Sequence, residues 1–350
     1  AGYIIDAWGE TLLLVCDTRT PIPVKHVLCK AKTVEHDPIG SYNTFFWRNV
    51  MKLMLALAVA LVTATVHARD TVTIVYAWSA ADAAANFHRQ LAQEANRIQD
   101  RFNFVFDTRP GAGGSIAANH VLNTANHILA TASAFYIRPN FFPNESHDLA
   151  RFRGLFPACS APAVISSRRY RSWSEVPTNA RLTIGMSGLG TTTHLIAHQL
   201  TKRYPQMVIV PFKSTTEALM AVVNETTDFS VNFLGDSAQY LEGRNRVYQL
   251  GVTGTQSVNG ITPLSQQGFT RDLELMNVPA QLVVPATVTD ARVRELREIF
   301  LQAGRAASVA DAYRMDHCQS INQMPDQDIA AWYARQVADW RRLTQGIRLE

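Results

Sequence analysis

A run of closely spaced glycines between a strand pattern and a helix pattern is the strongest local constraint on this chain. Residues 109–115 read Arg-Pro-Gly-Ala-Gly-Gly-Ser, after the β-rich stretch 102–106 and before a stretch with helical character. Glycines allow positive φ and leave N–H groups free at a helix start, where the helix dipole favours an anion. The residues of this run match neither the P-loop motif nor the dinucleotide-binding fingerprint. The run therefore indicates either an anion-binding turn or a tight strand-to-helix connection without a ligand.

Strand and helix patterns alternate along residues 69–350, which is typical of βαβ units with parallel sheets. The length allows two α/β lobes of ordinary size. Strands are predicted at 71–76, 102–106, 127–134, 155–167, 182–186, 207–211, 229–233 and 280–284. Helices are predicted at 82–95, 115–124, from 173, 193–204, 215–224, 290–303 and 327–343. The last helix carries an apolar stripe that predicts packed core: Ile329, Trp332, Tyr333, Val337 and Trp340.

The charge pattern gives little support to nucleic-acid binding. The formal net charge is only +4, and the arginines are scattered without a basic block or stripe.

An internal segment has the pattern of an export signal. Met51-Lys52 precedes the apolar run 53–62, and Val66-His67-Ala68 fits a cleavage site, so residues 51–68 are predicted to be a signal peptide. The apolar run is shorter than the ~20 residues of a membrane span. Residues 1–50 lack helical or alternating periodicity and are interpreted as upstream extension rather than a domain. The mature chain, residues 69–350, is therefore expected outside the cytoplasm.

Only two cysteines, Cys159 and Cys318, follow the predicted cleavage site. In an oxidising compartment they could pair, or they could remain two separately buried thiols. Their spacing does not decide between these alternatives.

A second glycine loop, at residues 187–194, brings hydroxyls and free amides together at a helix start, a combination that binds carboxylates. The alternative is that its threonines only cap the helix. His194 and His198 stand four residues apart, but the intervening residues lack the glutamate of a zinc-binding H-E-x-x-H and no third ligand is evident, so no metal is predicted. A serine hydrolase centred on Ser187 is a weaker alternative, because the final glycine of G-x-S-x-G is missing.

Five segments, taken in order, resemble one family: the periplasmic solute-binding receptors of tripartite tricarboxylate transporters, also called Bug receptors. The segments are Arg-Pro-Gly-Ala-Gly-Gly at 109–114, Ser-Gly-Leu-Gly-Thr at 187–191 followed by His194-Leu195, Val-Pro-Phe-Lys at 210–213, Leu-Gly-Val-Thr-Gly at 250–254, and the C-terminal helix and tail from 340. Each alone is a weak match, but their order and spacing across about 280 residues are specific.

The resemblance implies an α/β fold of the type II periplasmic-binding-protein kind, with two lobes, a hinge and a ligand cleft between them. It implies lobe 1 at 69–166 and 280–350 and lobe 2 at 167–279, with no catalysis and no cofactor. The carboxylate-binding role falls on Ser187, Gly190 and Thr191 with Thr192 beside them, on Thr131 and Ser133 at the end of the third strand, and on Asn232 in the second lobe.

The first ligand loop departs from the family pattern. Anchoring the loop on Arg89 places Ala81 and Asp82 where the family usually has two glycines. Asp82 would repel a carboxylate and attract an amine, and Trp78 is expected to wall the pocket. The hypothesis is a solute with a carboxylate for the loop at 187–192 and an amino or hydroxyl group for Asp82.

The resemblance implies a monomeric receptor that delivers its solute to membrane permease subunits and binds no nucleic acid. A receptor that presents its closed form to a signalling partner is an alternative, because both roles use one cleft and a hinge.

Overall fold

The computed structural model describes residues 2–5, 11–15, 30–33, 69–80, 82–315 and 317–347. The N-terminal unit, residues 1–67, contains an antiparallel sheet of strands β1 (Gly2–Ile5), β2 (Thr11–Val15) and β3 (Lys30–Thr33). The predicted signal peptide, residues 51–68, lies outside the described residues.

Residues 68–350 form the second unit. Its strands are β4 (Asp70–Tyr76), β5 (Phe102–Thr108), β6 (His127–Thr131), β7 (Phe152–Ala161), β8 (Ala163–Ser167), β9 (Thr183–Met186), β10 (Val208–Pro211), β11 (Phe229–Phe233), β12 (Tyr248–Val252), β13 (Val278–Pro285) and β14 (Gln319–Ser320). Its helices are α1 (Ala83–Ile98), α2 (Ser115–Leu122), α3 (Ala134–Phe141), α4 (Thr192–Thr201), α5 (Thr215–Val223), α6 (Leu234–Ser237), α7 (Asp290–Ala303), α8 (Ala307–Met315) and α9 (Asp326–Thr344).

Two sheets divide this unit into two α/β lobes. Lobe 1 contains a six-stranded sheet in the order β14-β7-β13-β6-β4-β5, and lobe 2 a five-stranded sheet in the order β10-β9-β11-β8-β12. One face of the first sheet is covered by α1, α7 and α8, which bury Leu91, Phe156 and Phe300 completely. A second buried cluster contains side chains of both lobes, among them Phe135 and Leu195.

The sheets are mixed rather than parallel, which corrects the sequence prediction. The pairs β4-β5 and β4-β6 are parallel, as are β9-β10 and β9-β11. The strands next to the crossings between lobes, β7, β8 and β13, pair antiparallel with their neighbours. Strands β8 and β13 reach their sheets directly from the other lobe, without the helical crossover that makes neighbouring strands parallel. Strand β7 follows β6 and α3 within lobe 1, and it pairs antiparallel because its neighbour β13 enters the sheet between β6 and β7 in the opposite direction.

The chain changes sheets at Pro162, four residues before the predicted boundary at 166. Ala161 pairs with Val278 in lobe 1, whereas Ala163 pairs with Phe233 in lobe 2. The continuous apolar pattern of residues 155–167 therefore covers two buried strands of different sheets. The return crossing precedes β13, which begins two residues before the predicted strand.

Four further differences concern helices. The helix predicted from Trp173 is only a single 3-10 turn, Trp173–Glu175, because the aromatic side chains there pack a loop against Tyr204, Phe229 and Phe269. Helices α3, α6 and α8 were not predicted. Helix α3 contains Pro139, which argues against a helix in sequence.

The apolar stripe of α9 is confirmed as core. Ile329, Trp332 and Trp340 are at most 8% exposed, and α9 packs against α3 and β7. In the described part of the chain, no helix combines the length and apolar character needed to cross a membrane.

Candidate functional site

A cavity of about 100 Å³ lies between the two sheets, where loops that follow β4, β6, β9 and β11 converge. One water needs ~10–15 Å³ of such space, so the cavity has room for roughly seven to ten waters or for a solute of similar size. Its apolar walls include five aromatic side chains: Tyr76, Trp78, Phe87, Phe233 and Tyr313.

The glycine loop before α4 supplies the hydroxyl-rich end of the cavity. Gly188 and Gly190 adopt positive φ, +95° and +71°, which allows the loop to fold back on the helix start. Thr191 Oγ1 accepts a hydrogen bond from the His194 N–H at 3.3 Å and donates to the Gly188 carbonyl at 2.8 Å. Thr191 therefore caps α4 and lines the cavity at the same time.

The remaining hydroxyls of this loop are held by one another. The Ser187 N–H donates to Thr193 Oγ1 at 3.0 Å, and the two hydroxyl oxygens of these residues are 2.8 Å apart. Both residues line the cavity. Each hydroxyl has one hydrogen, and Thr193 can donate its own to Thr191 Oγ1 at 3.0 Å. The Ser187 hydroxyl is then held in position with its hydrogen available to an anion.

A second helix start meets the first from the opposite lobe. Ser133, at the N-cap position of α3, forms a hydrogen bond through Oγ with Thr192 Oγ1, the first residue of α4. The neighbours of Ser133 in sequence, Ala132 and Ala134, line the cavity. First-turn N–H groups have no acceptor within their own helix, so two positive helix ends converge here.

The structure brings six of the predicted site residues to the cavity wall: Trp78, Asp82, Thr131, Ser187, Thr191 and Thr192. Ala81 lies outside the described residues.

Three predicted residues do not reach the cavity. Ser133 is fully buried beneath it and bonds Thr192. Gly190 contributes its N–H to His194 Nδ1 at 3.4 Å, in the turn of the loop. Asn232 is fully buried within β11, where its amide accepts from Ser230 and donates to the Phe233 carbonyl.

Sequence reasoning missed Asp236, which is the acidic residue that lobe 2 places on the cavity. It lies in the short helix α6, directly after β11, four residues beyond the predicted Asn232. Its Oδ2 accepts from the Phe233 N–H at 3.1 Å. The signal was a carboxylate just after a strand end, where open α/β sheets place ligand loops. Other missed lining residues are Thr193, Ser214, Thr215 and His88.

The ionisable side chains that line the cavity include two aspartates, Asp82 and Asp236. Burial, followed by the charges of Asp236 and Glu217, raises the pKa of Asp82 to about 7. Burial also raises the pKa of Asp236. Burial lowers the pKa of His88 to about 4, so that its ring is neutral at neutral pH. Among the described residues that line the cavity there is no lysine or arginine.

The glycine turn at 109–115 lies beside this site, not in it. It follows β5, the edge strand of the lobe 1 sheet, and none of its residues lines the cavity. Gly114 has a φ of +94°, and a Cβ added there would lie 3.2 Å from Ala77 Cβ and 3.9 Å from the Trp78 ring. The turn therefore supports the loop that carries Trp78.

A disulfide joins Cys159 of β7 to Cys318, just before β14, and both residues line the cavity. The pairing that the sequence left open is thus present. In the described residues, no group of three or more His, Cys, Asp or Glu side chains is placed to hold a metal ion.

Comparisons with known proteins identify the family. The sequence model of the tripartite tricarboxylate transporter family receptor matches residues 87–349, which are 263 of the 350 residues. No curated protein sequence matches the chain.

Solved structures share the fold. The periplasmic binding protein BugD is 17% identical over 79% of this chain and 97% of its own, with a TM-score of 0.70. The Rhodopseudomonas palustris proteins Rpa4515, solved with adipate, and MatC, solved with bound malate, are 17% and 16% identical. The match to Rpa4515 covers 80% of this chain and 97% of the Rpa4515 chain, with a TM-score of 0.69. The match to MatC covers 79% of this chain and 99% of the MatC chain, with a TM-score of 0.68. The two lobes thus form a periplasmic-binding-protein fold, and the chain belongs to the tripartite tricarboxylate transporter receptor family, whose members are binding proteins and not enzymes.

Proposed function

We propose that this receptor captures a small carboxylate-bearing solute in the cavity between its lobes and delivers it to the permease subunits of a tripartite transporter. The observation that carries the proposal is the meeting of two helix starts, α3 of lobe 1 and α4 of lobe 2, at the hydroxyl-rich end of the cavity. Helix N-termini and hydroxyl donors favour an anion without a basic side chain.

Two further observations support a carboxylate. The cavity has room for roughly seven to ten non-hydrogen atoms on the scale of bound waters, which suits small organic acids. Two solved structures with the same fold hold adipate and malate.

We assign the anion-binding role to Ser187, Thr191 and Thr192, which line the hydroxyl-rich end of the cavity. Calorimetric titration of the purified protein with mono- and dicarboxylates tests this assignment. Hydrogen bonds to charged groups contribute about 1.5–3 kcal/mol, so Ser187→Ala and Thr192→Val are each expected to weaken binding about tenfold or more. Thr201→Val, at the far end of α4, is the matched control and should bind like the unaltered protein.

Binding of uncharged sugars with no carboxylate bound would refute the proposal. Thermal stabilisation provides an independent check, since a ligand at 100 times its Kd adds about 2.7 kcal/mol to the free energy of unfolding.

Export and delivery are also part of the proposal. We infer that residues 51–68 direct the chain to the periplasm and are removed, which sequencing of the N-terminus of the exported protein would show as a start at Arg69. The disulfide is consistent with an oxidising compartment. Delivery predicts that cells without this receptor lose uptake of the solute that the purified protein binds.

A further inference from the structure

Two carboxylates face the cavity from opposite lobes. Asp82 stands at the start of α1 in lobe 1, and Asp236 belongs to α6 in lobe 2. Asp82 occupies the N-cap position, yet its side chain makes no capping hydrogen bond. An N-cap aspartate ordinarily satisfies a first-turn N–H. The carboxylate of Asp82 instead accepts a hydrogen bond from the Ser79 backbone N–H, which leaves acceptor capacity for the cavity.

Asp236 is held in place by its own lobe. Its Oδ2 accepts from the Phe233 N–H at 3.1 Å, and Thr216 Oγ1 lies 3.5 Å from its Oδ1. The Thr215 side chain also forms a hydrogen bond with this carboxylate. These bonds leave acceptor capacity on the carboxylate, which has about four lone-pair sites.

Two buried polar side chains on the same cavity have atoms without a partner. Thr131 and His88 are each 1% exposed and line the cavity, and within the described residues Thr131 Oγ1 and His88 Nε2 have no hydrogen-bond partner. His88 Nδ1 donates to the Ala84 carbonyl at 2.9 Å, so the neutral ring leaves Nε2 as an acceptor. Buried polar atoms normally have partners, and their absence points to a bound group that supplies them.

The missing chemistry is a cationic hydrogen-bond donor. The described cavity wall offers two carboxylates and an imidazole acceptor but neither lysine nor arginine. At pH 7.5 the Asp82 carboxyl, with a pKa of about 7, is mostly ionised, so a dicarboxylate filling the whole space would place one anion against it, which is unfavourable in a cavity of low dielectric. An ammonium group has three donors and a positive charge, which match these acceptors.

We propose that the solute of this receptor is an amino acid or another small amino-carboxylate, and that its protonated amine is held between Asp82 and Asp236. Its carboxylate then lies at the starts of α3 and α4, so this inference rests on the proposed function. Because the two aspartates belong to different lobes, the amine joins the lobes, and a solute without an amine lacks this contribution to closure.

Pairs of ligands that differ only in the amine test the inference. Leucine is compared with 4-methylpentanoate, and valine with 3-methylbutanoate, by calorimetric titration of the purified protein at pH 7.5. The amino member of each pair is expected to bind at least about tenfold more tightly. Asp82→Asn and Asp236→Asn are each expected to reduce this preference to less than about threefold, mainly by weakening the binding of the amino member.

Matched controls separate the local effect from a change in net charge. Asp100→Asn removes an exposed acid just beyond α1, and Glu242→Gln removes an exposed acid beyond α6; neither lines the cavity. Both should keep the full preference. If Asp236→Asn does not fold because the bond to Phe233 is lost, Asp82→Asn and the ligand pairs in the unaltered protein still decide the result.

The outcomes distinguish this inference from the proposed function. If 4-methylpentanoate, 3-methylbutanoate or succinate binds as tightly as the amino acids or more tightly, the amine site is wrong while the carboxylate receptor stands. If Mg²⁺ or Ca²⁺ strengthens the binding of these acids and removes the advantage of the amine, the aspartates hold a metal and the inference is overturned. If no carboxylate binds and a sugar does, both fail.

Discussion

Removal of the Cys159–Cys318 disulfide is expected to lower the free energy of unfolding by several kcal/mol. The two cysteines are 159 residues apart, so the bond closes a loop of about 160 residues. The chain-entropy relation for a loop of this length gives about 17 cal/mol/K, or about 5 kcal/mol at 25 °C. For about 280 residues with ~2.1 cal/mol/K each, that free energy corresponds to a fall in Tm of about 8 °C.

The local contacts around the bond are few, so little replaces it when it is removed. Strand β14 pairs with β7 only through Gln319 and Ser320, and the Ile321 N–H donates to the Ala158 carbonyl at 3.0 Å. Without the bond, the segment from Cys318 to Ile321 is held mainly by these hydrogen bonds and by the one from the Cys318 N–H to the Tyr313 carbonyl at 2.9 Å. Since both cysteines line the cavity, we expect solute binding to weaken together with stability.

The assay is urea denaturation followed by circular dichroism, on the unaltered protein and on the Cys159→Ala/Cys318→Ala variant, with and without reductant. The unaltered protein in reductant should approach the variant, and the variant should not respond to reductant. A difference of less than about 1 kcal/mol between the two proteins under oxidising conditions would refute the reasoning, because typical native disulfides contribute about 2–4 kcal/mol.

Three other predictions concern single side chains. The pKa of Asp82 rises from 3.8 to about 7 on folding, so the folded state keeps a proton that the unfolded state loses, and stability falls as pH rises from about 4 to 7. Asp236, whose pKa is also raised by burial, adds to this fall, so Asp82→Asn should reduce the fall and be more stable than the unaltered protein at pH 8 by up to about 4 kcal/mol. Equal denaturation midpoints at pH 5 and pH 8 in the unaltered protein would contradict this prediction. Gly114→Ala places a side chain at a φ of +94° in a crowded turn and should cost about 2 kcal/mol in thermal unfolding, more than Gly243→Ala, where φ is also positive but the space is open. Asp326→Ala should lower the free energy of unfolding, measured by urea denaturation, by about 3 kcal/mol, because the guanidinium of Arg297 is only 2% exposed and loses its carboxylate partner. A decrease below about 1 kcal/mol would show that the backbone carbonyls bonded to Arg297 are enough to stabilise the buried charge.

Local periodicity predicted most elements of the two lobes. The bounds of β11 and α7 agree with the prediction at both ends, and those of α1 and α9 differ by a few residues. The sequence could not reveal that 155–167 are two strands, because the apolar pattern of a buried strand is the same whichever sheet it joins. Strand direction was likewise wrong near the crossings, since it depends on the path of the chain between lobes.

For the site, the glycine and hydroxyl residues of the loop at 187–192 were predictable because their spacing is local and the helix start follows directly. Asp82 was predictable as a charge at the start of α1. Asp236 was not predictable, because it lines the cavity only through the packing of lobe 2 against lobe 1. The family resemblance assigned Ser133 and Asn232 to the site, but Ser133 is buried against Thr192 and Asn232 is buried within β11, so neither reaches the cavity surface.

The sequence alone determined the alternation of strands and helices, the family resemblance and the glycine turns, because these depend on residues close together in the chain. The tertiary structure decided which of these residues share a cavity, the pairing of Cys159 with Cys318, and the roles of the two turns. The turn at 109–115 supports Trp78, while the turn at 187–192 meets α3 from the other lobe. Contacts between residues distant in sequence decide these points, and they form only when both lobes are folded and packed together.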